Sequence, residues 1–130
     1  MARILVDTSA VYALVDRDDA NHRAAAARLK TLQRQRAEPL LTNFVVPECY
    51  ALILVRLGSE MARRWLFDNL WPIERITTED ERRARSILHD YQDKTFSYTD
   101  ATTFASMERL RMRRAFSFDK HFRQFGLDLD

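Results

Sequence analysis

Ile4-Leu5-Val6-Asp7-Thr8-Ser9-Ala10 opens the chain with three consecutive apolar residues, then an acid and two hydroxyls. So short an apolar run reads as a strand covered on both faces, the pattern of a parallel sheet. The rest of the chain repeats the theme. A helix through Val11, Leu14 and Val15 follows, and a second, starting near Asp19, runs to about Arg36. Pro39-Leu40-Leu41 is a short strand. Thr42 leads into an almost wholly apolar helix that Gly58 stops, and Ser59 begins another. Trp71 to Ile76 is strand-like. Thr78-Glu79-Asp80-Glu81 reads as a capping box for a helix to about Tyr91, and Ser97-Tyr98-Thr99-Asp100 as a second, for a helix to about Met112. Ala115 to Phe118 is the next strand, and Leu127-Asp128-Leu129 a small last one. Strands alternating with helices predict an α/β sandwich built on parallel strands. Pro47 fits the third long helix only if the helix starts there or loses a hydrogen bond in its first turns.

At 130 residues the chain is expected to form one domain, residues 1–130. With 46% apolar and 31% charged residues it is a folding, water-facing sequence and not a disordered one. The single cysteine, Cys49, excludes an internal disulfide framework and a thiolate zinc site. Two glycines, Gly58 and Gly126, exclude a glycine-rich phosphate loop. The longest apolar run, Cys49 to Val55, is far shorter than the roughly 20 residues of a membrane span. No signal-peptide core precedes Asp7, so a cytoplasmic location and no membrane partner are expected. The net charge of +2 names no partner. Its distribution is uneven. Residues 109–123 carry six cations and one acid, and residues 17–36 six cations and two acids. Such stretches are either solvated helix faces or places to neutralise phosphates.

Ligands of parallel α/β sheets sit outside the carboxyl ends of the strands. Asp7 and Asp119 each follow a predicted strand, which puts both at that edge. Glu48 is the only charge between Asn43 and Val55, and its helical neighbours Val45, Ala51, Leu52 and Val55 are apolar. A carboxylate in such surroundings needs a paired arginine, a raised pKa or a cation. Asp100 stands in the first turn of its helix, where capping alone accounts for an acid. Taken together, four carboxylates on one edge repel one another unless metal ions lie among them, and all-oxygen ligation suits Mg²⁺ or Mn²⁺. His22, His89 and His121 are scattered, each better read as a surface or packing residue, and Cys49 as a small buried apolar one. Carboxylates holding two metals about 3.5–4 Å apart are apparatus for displacement at phosphorus, and the basic stretches make a nucleic acid the expected substrate.

Four segments, Ile4 to Ala10, Thr42 to Glu48, Ser97 to Ala101 and Phe116 to Phe122, occur in an order and spacing that resemble the PIN domain, and within it the VapC-type toxin ribonucleases of toxin–antitoxin pairs. The resemblance spans essentially the whole chain. It implies a three-layer α/β/α sandwich with a mainly parallel sheet of about five strands. It also implies a Mg²⁺- or Mn²⁺-dependent endoribonuclease whose acidic quartet falls on Asp7, Glu48, Asp100 and Asp119. Thr8, Ser9 and Ser117 are implied contacts to phosphate or metal-bound water. His121 lies within the motif and is given no chemistry. Implied partners are RNA, a second copy of the chain, and a small antitoxin whose C-terminal segment lies over the acids, with Met61, Trp65, Leu66 and Trp71 as a groove for it. Two nuclease-related alternatives are a non-toxin PIN nuclease and a degenerate RNA-binding module, the latter disfavoured because all four acids are present. A small-molecule phosphohydrolase with Asp7 as nucleophile is disfavoured because Ser9 stands where its second acid belongs.

Overall fold

The computed structural model describes residues 2–129. In chain order the elements are β1 (Arg3–Val6), α1 (Thr8–Val15), α2 (His22–Arg34), β2 (Glu38–Thr42), α3 (Val45–Leu57) and α4 (Ser59–Asp68). They continue with β3 (Ile73–Glu74), α5 (Thr78–Asp90), α6 (Tyr98–Leu110), β4 (Arg114–Phe116), α7 (His121–Gln124) and β5 (Asp128–Leu129). The strands form one five-stranded sheet in the order β3-β2-β1-β4-β5, and every pairing is parallel.

Alternation along the strands divides the core into two halves. Leu5, Leu40 and Ala115 face one side and pack with Ala84 and Ile87 of α5, Phe104 of α6 and Phe122 of α7. Ile4, Val6, Leu41 and Phe116 face the other and pack with Val11 of α1, Ala25 and Leu32 of α2, and Val45 and Cys49 of α3. Helices therefore cover both faces, and the sandwich has three layers. The chain lays β2 and β3 on one side of β1, then crosses to lay β4 and β5 on the other. That reversal between β1 and β4 opens a crevice at their carboxyl ends.

Several boundaries differ from the sequence reading, each for a local reason. α2 begins at His22 because Asp16 and Asp19 side chains accept the amides of Asp18 and Asn21, which holds residues 16–21 in turns. The α5 capping box is built by Thr77, one residue before the expected Thr78: its hydroxyl accepts the Asp80 amide, and Asp80 accepts the Thr77 amide. β3 keeps two residues of the six expected, and β4 stops at Phe116 instead of Phe118. α3 is extended at its start by Thr42, whose Oγ1 accepts the Phe44 and Val45 amides. Pro47 thus falls in the first turn, where its missing N–H would have had no helical partner. Gly58, at φ 96°, ends α3 and starts α4 in a conformation other residues avoid.

One polar knot stands apart from the apolar core. Arg109 of α6 donates to both oxygens of Asp80 and to Glu74 Oε2 at 3.0–3.2 Å, tying α6 to α5 and β3. Burial works to raise the Asp80 pKa, but the guanidinium and the Thr77 amide overcome it and hold the carboxyl below its usual range. Arg109→Met should therefore strand a buried carboxylate and destabilise the fold by about 2–3 kcal/mol. Urea unfolding of the two proteins measures it; equal midpoints would show that the knot carries no stability.

Candidate active site

Asp7 leaves β1 and caps α1. Its amide donates to Phe116 O of β4 at 3.0 Å, so the capping residue is bonded to both central strands. Asp7 as a whole is only 5% exposed. Oδ2 accepts from Ser9 N at 3.3 Å, Ser9 Oγ at 2.7 Å and Ser117 Oγ at 2.9 Å. Among the described residues no donor reaches Oδ1. Burial, with the negative charge of Asp100 adding to it, outweighs the Ser9 and Ser117 donors and pushes the pKa from 3.8 up to about 6.

The two serines pass the order on. Ser9 Oγ accepts the Phe118 amide and Ser117 Oγ the Asp119 amide, both at 2.9 Å. Asp119 is therefore positioned by a hydrogen-bonded loop beyond β4, and not by the strand itself. Asp100 is held by a capping box. Ser97 Oγ accepts its amide, and its Oδ2 accepts the Ser97 amide, both at 3.0 Å. The helix it starts is buried from Ala101 to Met107, which fixes the carboxylate at the crevice.

Glu48 departs from expectation. The helix that carries it is apolar but not enclosed: Ala51 is exposed and Val55 is 82% exposed. Glu48 itself is half-buried, and among the described residues no cation pairs with it. Its Oε1 accepts a 2.5 Å hydrogen bond from Thr8 Oγ1. The buried Glu–Arg pair considered from sequence is thus absent among the described residues.

A cleft of about 410 Å³ is lined by Asp7, Thr8, Ser9, Glu48, Leu52, Ser97, Asp100, Asp119 and His121. The structure gathers all four acids singled out in the sequence, with Thr8 and Ser9. Ser117 reaches Asp7 from beneath. One residue that sequence reasoning passed over is also here. His121 Nδ1 lies 2.9 Å from Asp100 Oδ2 and 3.3 Å from Asp119 Oδ1. A lone histidine beside an aspartate carries little signal in a sequence; only the crevice brings Asp100 to it. His22 bonds to the Ala13 carbonyl and His89 is exposed, while burial pushes the Cys49 thiol up to about 12 and keeps it unreactive. Among the described residues no arginine or lysine lines the cleft. A buried carboxylate with one oxygen left without a donor, facing two further aspartates, is a donor set that fits a hard divalent cation. Ligand atoms of Asp100, Asp119 and His121 all lie within 4.8 Å of one another.

A parallel sheet with acids gathered at its switch point defines a class of protein, and comparison with known sequences gives its family. The PIN domain model matches residues 4–127, so the chain belongs to the PIN domain family. It is 30% identical over 127 residues to the 23S rRNA-specific endonuclease VapC20 of Mycobacterium tuberculosis, covering 95% of this chain and 94% of that protein. The crystal structure of M. tuberculosis VapC20, described as a Sarcin-Ricin loop cleaving toxin, superposes with a TM-score of 0.83 at 28% identity over 95% of both chains. Two further crystal structures share the fold: VapBC2 from Rickettsia felis bound to a promoter DNA fragment (TM-score 0.74, 10% identity, 98% and 97% covered) and DNA-bound VapBC from Salmonella typhimurium (TM-score 0.72, 11% identity, 100% and 98% covered). The family match sets aside the phosphohydrolase alternative.

The raised Asp7 pKa has a measurable consequence in metal-free protein. The folded state binds this proton more tightly than the unfolded state, so the stabilisation is fully present below pH 3.8 and is lost as the pH rises through about 6. A change from 3.8 to about 6 is worth about 3 kcal/mol. Asp7→Asn removes the effect and keeps the side-chain shape. Its melting temperature relative to the parent should therefore rise between pH 4 and pH 7; a pH-independent difference would contradict the burial argument.

Proposed function

We propose that this chain is a metal-dependent endoribonuclease, one PIN-type nuclease domain acting as the toxin of a toxin–antitoxin pair. The observation that carries the reading is the set of four carboxylates around one cleft at the β1/β4 crevice, in a chain 30% identical to a ribosomal RNA endonuclease. Asp7, Asp100 and Asp119 would hold Mg²⁺ or Mn²⁺, with Glu48 completing the set. Bound there, divalent ions supply an activated water and stabilise the oxygen that leaves phosphorus. The chain's own groups do the rest. Ser9 and Ser117 fix the orientation of Asp7, so one oxygen stays available to a cation. Thr8 fixes Glu48 at the cleft. Lys120, exposed beside Asp119, and Arg123 of α7 offer positive charge to the phosphates on either side of the scissile bond. The cations of α2, by contrast, point into solvent along one helix and fit the plainer reading of a solvated face.

The proposed antitoxin would lie along a groove of about 510 Å³ lined by Val11, Leu14, Met61, Trp65, Leu70 and Trp71, among others. Leu66, expected in that groove, borders a neighbouring depression with Val46 and Ile73 instead. Exposed Val55 and Phe67 on α3 and α4 offer apolar area for the proposed second copy. Among the described residues no helix is long and apolar enough to cross a membrane.

The test is cleavage of an RNA hairpin bearing the ribosomal sarcin–ricin loop by purified, antitoxin-free protein. Mg²⁺ or Mn²⁺ should support cleavage and EDTA should abolish it, and Asp7→Asn should lower the rate by roughly 100-fold or more. Undiminished cleavage in EDTA would overturn the metal-dependent reading.

A further inference from the structure

The cleft holds one nitrogen among its oxygens, and its surroundings say which way that nitrogen works. Nδ1 of His121 lies 2.9 Å from Asp100 Oδ2, and the same nitrogen lies 3.3 Å from Asp119 Oδ1. Ionised carboxylates only accept hydrogen bonds, so Nδ1 carries a proton and donates it. Nε2 faces away, 3.2 Å from Thr95 Oγ1, whose hydroxyl can donate to it and so favours the same tautomer. The ring is held edge-on to Phe96, with centroids 5.4 Å apart, and its side chain is 16% exposed. The backbone adds a second tie: the His121 amide donates to Asp119 Oδ1 at 2.9 Å. One residue thus bonds two acids that come from different elements and repel each other.

We propose that His121 is a positioning residue of the metal site: its Nδ1–H holds Asp100 while its backbone amide holds Asp119, and neither ring nitrogen bonds the cation. The proposal rests on reading the cleft as a metal site and says how two of its ligands are aimed. A proton donated to Asp100 leaves Nδ1 no lone pair to give, and Nε2 lies 3.2 Å from Thr95 Oγ1. Groups that orient ligating carboxylates in this way typically change metal affinity by about 10–100-fold when removed.

Two substitutions separate clasp from ligand. His121→Asn sets an amide N–H close to where Nδ1–H stands and is a poor ligand; His121→Phe keeps the ring packing on Phe96 and removes the donor. Mn²⁺ affinity is measured by calorimetry and by electron paramagnetic resonance on RNA-free protein. His121→Phe should bind Mn²⁺ about 10–100-fold more weakly, and His121→Asn within about threefold of the parent. Pulsed resonance on the parent should show no nitrogen bonded directly to Mn²⁺, a readout that stands even if His121→Phe fails to fold. Parent-like affinity in His121→Phe would overturn the clasp. So would a directly bonded nitrogen, or an Asn variant as weak as the Phe variant. A parent that binds no Mn²⁺ sinks the metal reading itself, and the clasp with it, whatever the variants do.

Discussion

A carboxylate buried between two parallel strands is the constraint around which this fold is organised. Asp7 sits at the junction of β1 and β4, 5% exposed, and water cannot solvate its charge. Two hydroxyls do so instead, Ser9 from its own helix and Ser117 from beyond the other strand. Each hydroxyl also accepts a backbone amide of the segment that leads to Asp119. The same atoms that make Asp7 tolerable therefore place the next acid. Removing either hydroxyl would disturb two carboxylates at once.

Bringing acids together opposes folding, and the surrounding structure offsets it. α6 carries Asp100 on its first turn and is among the most deeply buried helices, with Phe104 stacked on Phe125 at 4.6 Å and edge-on to Phe122. Its other end is tied by Arg109 to Asp80 and Glu74. Packing at one end and an ion-pair knot at the other leave the helix no freedom to swing its acid away from the cleft. The acids are thus held by rigid elements, while the surface of α3 and α4 keeps apolar side chains such as Val55 and Phe67 exposed.

Much of this was legible in the sequence because it depends on short-range chemistry. Ile4-Leu5-Val6 followed by an acid reads directly as a strand and its exit, and Ser97 to Asp100 as a helix cap. Order and spacing of the four acidic segments carried the rest of the site. What was not legible depends on the third dimension. An apolar helix gives no sign of which face is covered, so Glu48 read as enclosed although Ala51 and Val55 face solvent. Thr77 and Thr78 are equivalent caps on paper, and only the hydrogen bond to Asp80 distinguishes them. Ser117 and Phe118 carry a strand's composition but are bent away by the serine bonds that place Asp119. His121 is invisible as a partner of Asp100 until β4 and α6 are brought side by side.

The proposed role of the crevice between β1 and β4 is to hold a cation among these acids. Crystals of the protein soaked in Mn²⁺ and measured at a wavelength where manganese scatters anomalously test it most directly. An anomalous peak is expected in the cleft bounded by Asp7, Asp100 and Asp119, absent in crystals of Asp7→Asn. Peaks confined to other parts of the surface, with none in the cleft at saturating Mn²⁺, would contradict it.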